Sequence, residues 1–124
     1  MIFRFTALAL LLASVTVNAE TTLKDGVYTK AQAEKGKSSY EKNCKNCHMP
    51  DFYKEKLAGW SQAPLVEFYD LVSSTMPGDR PGQLPLQEYT DALAYILSML
   101  DYPAGDKPLN HEDGSMDEIL IVSD

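Results

Sequence analysis

The chain has two cysteines, and both fall in Cys44-Lys45-Asn46-Cys47-His48, with a histidine directly after the second. This spacing is the attachment signature of c-type haem. Positions three apart in a helical turn share a face. Two thiols placed there can add to the two vinyl groups along one edge of a single porphyrin. His48 follows at once, where its imidazole can reach the iron from that side. A chain built this way must wrap a flat apolar group, which constrains the fold more than any other feature of the sequence.

Three other readings use the same residues. A thioredoxin-like dithiol needs a βαβ setting, and no parallel-sheet pattern surrounds the motif. A zinc site needs four ligands, and the other histidine, His111, lies far along the chain. A disulfide between Cys44 and Cys47 would close a loop too short to staple anything.

The chain opens Met1-Ile2-Phe3-Arg4 and then runs mostly apolar from Phe5 to Val17. Val17-Asn18-Ala19 places small residues where a signal peptidase reads, so residues 1–19 are expected to be a leader cleaved after Ala19. The apolar run is short for a membrane span, which needs about 20 residues, although an uncleaved anchor is the other reading. What remains, residues 20–124, is one small domain with an acidic C-terminal tail over about 106–124. Its core is thin for apolar burial alone, and a covalent haem would supply the missing apolar centre. Export to a bacterial periplasm suits the same chemistry.

Charge is uneven. The whole chain has 11 Lys plus Arg against 18 Asp plus Glu, a net −7. Residues 20–56 hold eight lysines against six acids, whereas residues 57–124 hold only Arg80 and Lys107 against twelve acids. An acidic surface argues against nucleic acid as a partner. No paired acid and base, phosphate loop or activated nucleophile marks a hydrolase or transferase.

Residues 20–28 read as a polar lead-in broken by Gly26. Thr29 and Gln32 form a candidate capping box for a helix over about Lys30 to Asn43. Ala33, Gly36, Lys37, Tyr40 and Cys44 recur along it at helical spacing, so one face leads into the motif. Gly36 costs ~1 kcal/mol in a helix relative to alanine, which asks for a reason: a close helix crossing is one reading and a tolerated surface glycine the other. After His48 the pattern predicts a short connection, with Pro50 barring simple continuation of the helix. Trp60 is expected to pack in the core beside the porphyrin. Pro64 suits the first turn of a second helix carrying Leu65, Phe68, Tyr69 and Val72 and ending near Ser73-Ser74. Thr75 to Pro85 is an ordered loop rich in proline and glycine. A third helix over about Leu86 to Leu100 has a broad apolar face of Leu86, Tyr89, Leu93, Ile96, Leu97 and Leu100. Tyr102-Pro103-Ala104-Gly105 stops it. Ile119-Leu120-Ile121-Val122 reads as a short strand or an apolar tail clasping the body.

An iron held by one histidine has a sixth position to fill. Met49 adjoins His48 and cannot reach across a porphyrin plane. Met99 reads as core, and His111 and Met116 lie in the tail. Met76 lies in the proline-braced loop, from which it can reach the far face. A thioether ligand favours ferrous iron and raises the potential relative to a second histidine. Trp60 and Arg80 are the candidate haem contacts beyond the ligands.

Taken together, Gly36 and Tyr40 before Cys44–His48, then Met76-Pro77, then Tyr89 to Leu100 with Tyr95, resemble class I cytochrome c over about residues 28–104. In that family a glycine and an aromatic of the first helix pack against an aromatic of the last, and Gly36, Tyr40 and Tyr95 stand at the matching places. Thr75 to Leu100, with Tyr102-Pro103-Ala104-Gly105, is similar to haem domains associated with quinoprotein alcohol dehydrogenases. The segment after His48 departs from the family in lacking an evident match for the proline whose carbonyl orients the histidine.

The resemblance implies an all-α fold of about three main helices round one covalent haem c, ligated by His48 and Met76. It also implies an electron-transfer protein and not an enzyme. This would be a periplasmic one-electron carrier between a dehydrogenase donor and a cytochrome or oxidase acceptor, with no membrane span once the leader is removed. A cytochrome subunit permanently bound to a dehydrogenase is one alternative. A haem-based sensor or weak peroxidase with an open sixth position is another. The side bearing Lys42 and Lys45 is the expected docking face, with the acidic side as its rival.

Overall fold

The computed structural model describes residue 14 and residues 16–123. The leader expected over residues 1–19 therefore lies largely outside the described residues. No helix among the described residues is long and apolar enough to cross a membrane.

Four α-helices carry the fold: α1 Lys30–Asn43, α2 Pro50–Gly59, α3 Leu65–Thr75 and α4 Leu86–Met99. Three of them fall where hydrophobic spacing predicts. The fourth, α2, replaces the short connection expected after His48, so the all-α fold of about three main helices carries one further short helix. Pro50 does end the preceding segment, but it does so by occupying the first turn of a new helix. A proline there loses nothing, because the first-turn N–H groups have no partner within the helix. Tyr53 and Leu57, four residues apart, are the face that α2 buries.

α1 begins as expected at Thr29, whose side chain accepts from the Gln32 N–H at 3.1 Å. The other half of the capping box is missing. The Gln32 side chain turns away and donates from Nε2 to the Leu109 carbonyl at 2.9 Å, while its Oε1 accepts from the Leu109 N–H at 2.8 Å. A complete box lies upstream, between Thr22 and Asp25. The two bonds from Thr22 hold the Asp25 carboxyl below the usual carboxylate range. The polar lead-in is thus structured, and its Leu23 and Tyr28 are buried in the core.

α1 and α4 cross in contact at Gly36. A Cβ built there would lie 1.7 Å from the Asp91 carbonyl oxygen and 2.3 Å from its carbon. One turn further on, Tyr40 meets Tyr95 with ring centroids 5.2 Å apart and tilted by 57°. The expected crossing is therefore present. Gly36 meets the α4 backbone at Asp91–Ala92, and Tyr95 is met by Tyr40.

The main core joins Leu23, Leu57, Leu65, Phe68, Leu93 and Leu97 with Leu109, Met116, Ile119 and Ile121. Each fully buried Leu or Ile adds roughly 1.5–3 kcal/mol relative to exposure. The segment from about 106 is therefore part of the body. Two short strands, β1 Thr21–Thr22 and β2 Ile119–Leu120, pair in parallel. The Ile121 N–H donates to the Ala63 carbonyl at 2.9 Å, and the Ile121 carbonyl accepts from Gln62 N–H at 2.8 Å. Both readings of Ile119–Val122, strand and clasp, apply at once.

Candidate functional site

The Cys44–His48 motif begins where α1 ends. Cys44 caps the helix, its N–H bonding the Tyr40 carbonyl at 2.8 Å. The chain then turns, and the N–H groups of Cys47 and His48 both reach the Cys44 carbonyl at 3.2 Å. The motif is a single turn between α1 and α2, closed by the three- and four-residue bonds of a helical turn onto the Cys44 carbonyl. The Tyr40 hydroxyl fixes the far end by donating to the His48 carbonyl at 2.9 Å.

This turn borders a cavity of about 880 Å³ whose walls are predominantly apolar. Cys44, Cys47, His48, Trp60, Met76 and Arg80, all six of the residues singled out from the sequence, line it. The other candidates for the sixth ligand do not. Met49 is 69% exposed, and Met116 is buried in the main core. Met99 packs beside Tyr40, Tyr53 and Ile96. His111 stacks on Tyr69 with centroids 6.3 Å apart and places Nδ1 3.1 Å from the Thr90 hydroxyl.

His48 is half-buried and stacks on Phe52, centroids 4.0 Å apart at 10°. Tyr53 meets the same imidazole edge-on at 5.8 Å. These aromatic partners escaped sequence reasoning because the segment after His48 was read as a connection. Read as a helix, it puts Tyr53 at the fourth helical position, where a residue commonly packs on the one before the N-cap, here His48. Burial pushes the Tyr53 hydroxyl well above the ordinary tyrosine range, so it stays protonated. Burial also raises the Cys44 thiol, with Cys47 beside it adding to the shift. Cys47 itself is exposed.

Met76 caps α3, its N–H bonding the Val72 carbonyl at 2.9 Å, and the Met76–Pro77 peptide is cis. Trp60 is half-buried and packs edge-on against Phe68 at 6.0 Å. Arg80 donates from Nη2 to Asn43 Oδ1 at 2.5 Å, which ties the loop after Met76 to the last residue of α1. Its guanidinium also lies 3.9 Å from Asp79.

A family model described as "Cytochrome C oxidase, cbb3-type, subunit III" matches residues 31–96. No curated protein and no solved structure matches the chain. The matched span begins in α1 and ends at Ile96 in α4, so it encloses the motif, the cavity loop and the helix crossing.

That family implies a haem, and the residues present fit one. The cavity volume falls within the range of about 300–1,000 Å³ usual for cofactor sites. Its apolar lining suits a porphyrin plane. Imidazole and thioether are a donor pair that iron accepts in c-type cytochromes. A site for a bare ion is a poorer match: among the described residues no group of three or more His, Cys, Asp or Glu side chains could hold a metal.

Proposed function

The chain belongs to this family of c-type cytochrome domains, and from that membership we propose that it is a periplasmic carrier of single electrons with one covalent haem c. Membership makes it an electron-transfer haem protein. The observation that carries the finer reading is the convergence of Cys44, Cys47, His48 and Met76 on one apolar cavity. Cys44 and Cys47 would hold the haem through thioethers, and His48 and Met76 would be its axial ligands. When bound, the haem supplies the redox chemistry; the protein supplies ligation, burial and docking.

The chain's own residues have definable parts in this. Phe52 and Tyr53 bracket the His48 ring on a face and an edge, which limits the orientations open to it. Tyr40 fixes its backbone. The apolar walls exclude water, and Arg80 ties the loop after Met76 to α1. Mass spectrometry of exported protein is expected to show one haem added and residues 1–19 removed. The ferric spectrum is expected to carry the weak red band of sulfur–iron ligation. Two free thiols in exported protein would sink the covalent reading. Rapid carbon monoxide binding would instead indicate an open sixth position and a sensor or peroxidase.

The donor in this reading is a dehydrogenase. The acceptor is a respiratory cytochrome or terminal oxidase, which the family's description supports. Lys42 and Lys56 line the cavity, with Lys45 exposed in the adjoining turn. They support docking of an acidic redox partner at this face, with charge steering that weakens as salt rises. Replacing Lys42 and Lys45 by glutamate is expected to slow electron transfer to such a partner at low salt, with the difference shrinking at high salt. An accelerated rate would place the acidic surface at the interface.

A further inference from the structure

We propose that Tyr89 is a positioning residue that clamps both ends of the loop carrying Met76, and so holds the Met76 thioether at the iron. The proposal rests on Met76 being the sixth ligand. Tyr89 lies in the first turns of α4, is 4% exposed and lines the cavity. Its hydroxyl donates to the Met76 carbonyl at 2.5 Å. The same oxygen accepts from the Leu84 N–H at 3.3 Å. A phenol has one proton to give and lone pairs to receive, so one hydroxyl meets both demands.

These two contacts lie at the two ends of the loop. The Met76 carbonyl also accepts from the Gly82 N–H at 3.1 Å. Within the loop, Arg80 N–H reaches the Pro77 carbonyl at 3.0 Å and Gln83 N–H reaches the Arg80 carbonyl at 3.3 Å. These bonds shape the loop but anchor it to no helix. At its start the loop is tied to α3 by the Met76 N–H on the Val72 carbonyl at 2.9 Å; the side-chain anchors are Arg80 to Asn43 at an exposed tip, and Tyr89 at the buried base. A ligand on a loop is held as firmly as the loop's base, because any opening moves the sulfur away with the backbone. Tyr89 touches the Met76 backbone and not its sulfur, so it acts through position.

The test is competition for the iron. Haem-loaded ferric protein is titrated with imidazole, following loss of the sulfur–iron band. Without the Tyr89 hydroxyl the loop loses the bond to the part-buried Met76 carbonyl and the weaker one from the Leu84 N–H, so Tyr89→Phe is expected to bind imidazole roughly two- to tenfold more tightly than the parent. Tyr28→Phe is the control. It removes a comparable bond, from the Tyr28 hydroxyl to the Tyr102 carbonyl at 2.6 Å, at a residue that does not line the cavity. It is expected to lower stability to urea without altering imidazole affinity. If Tyr89→Phe binds imidazole no more tightly than Tyr28→Phe does, while Met76→Ala binds it tightly, the clamp is overturned and Met76 stands as the ligand. If Met76→Ala itself leaves imidazole affinity unchanged, the ligand assignment fails and takes the clamp with it.

Discussion

Gly36→Leu is expected to leave little folded protein at concentrations of urea that the parent chain withstands. The first side-chain carbon alone would fall 1.7 Å from the Asp91 carbonyl oxygen and 2.9 Å from the Ala92 nitrogen. Both are backbone atoms in the middle of α4, so no rotamer change relieves the clash; the two helices must part. Parting them separates Tyr40 from Tyr95 and loosens the helix whose end carries Cys44. Overpacking usually costs 1–3 kcal/mol because side chains can give way. Here they cannot, and the loss should exceed about 3 kcal/mol, a large share of a small domain's ~5–15 kcal/mol. Gly59→Ala provides the comparison, since a Cβ there meets nothing within 4 Å. It should change the urea midpoint little or raise it slightly. A Gly36→Leu midpoint close to the parent's would mean that the helices cross elsewhere.

Met76→Ala is expected to abolish the sulfur–iron band and lower the reduction potential while the helices persist. Removing the thioether removes the ligand that favours ferrous iron. The fold should survive because Met76 ends α3 through its backbone N–H, which alanine keeps. Met99→Ala and Met116→Ala are expected to leave the band in place. Met116→Ala should instead cost stability, about 2–5 kcal/mol for a truncated core side chain, since Met116 is 2% exposed. If the band survives in Met76→Ala and vanishes in one of the others, the ligand is misassigned.

The helices that were legible in the sequence are those that advertise both a face and a boundary. α1 has Thr29 before it and Cys44 after it, and α3 and α4 follow Pro64 and Pro85. α2 escaped because a single proline supports two opposite inferences: Pro50 bars continuation of one helix and suits the start of another. Its apolar positions are few, with only Tyr53 and Leu57 buried, so the periodic signal was weak. The Cys44–His48 motif stands out in the sequence because attachment chemistry would fix its spacing, and the structure brings Trp60, Met76 and Arg80 to the same cavity, whereas the residues packed around them were not legible. Phe52 and Tyr53 needed α2 to be seen as a helix. Tyr89 was read as one apolar position on the face of α4, and nothing in the sequence distinguishes a buried phenol that packs from one that also bonds a loop.

The segment after residue 105 was the least legible part. Its acids suggested a solvated tail, and they are indeed mostly outside. The residues between them, Leu109, Met116, Ile119 and Ile121, are buried. Their partners are distant in sequence: Gln32 for Leu109, Ala63 for Ile121 and Thr21 for Ile119. Pairings of this kind leave no local pattern to read.

Tyr69 belongs to two regions at once. It lines the cavity, and it stacks on His111 of the C-terminal segment. Its hydroxyl donates to the Leu86 carbonyl at 3.0 Å and lies 3.2 Å from the Thr90 hydroxyl, which in turn approaches His111. The cavity and the segment therefore share a wall, and coupling free energies are reciprocal. Whatever stabilisation a filled cavity lends to the docked segment, the docked segment returns to the occupant in equal measure. Protease access to residues 106–122 and tightness of occupancy are then two readings of one equilibrium, taken from opposite sides of a single tyrosine.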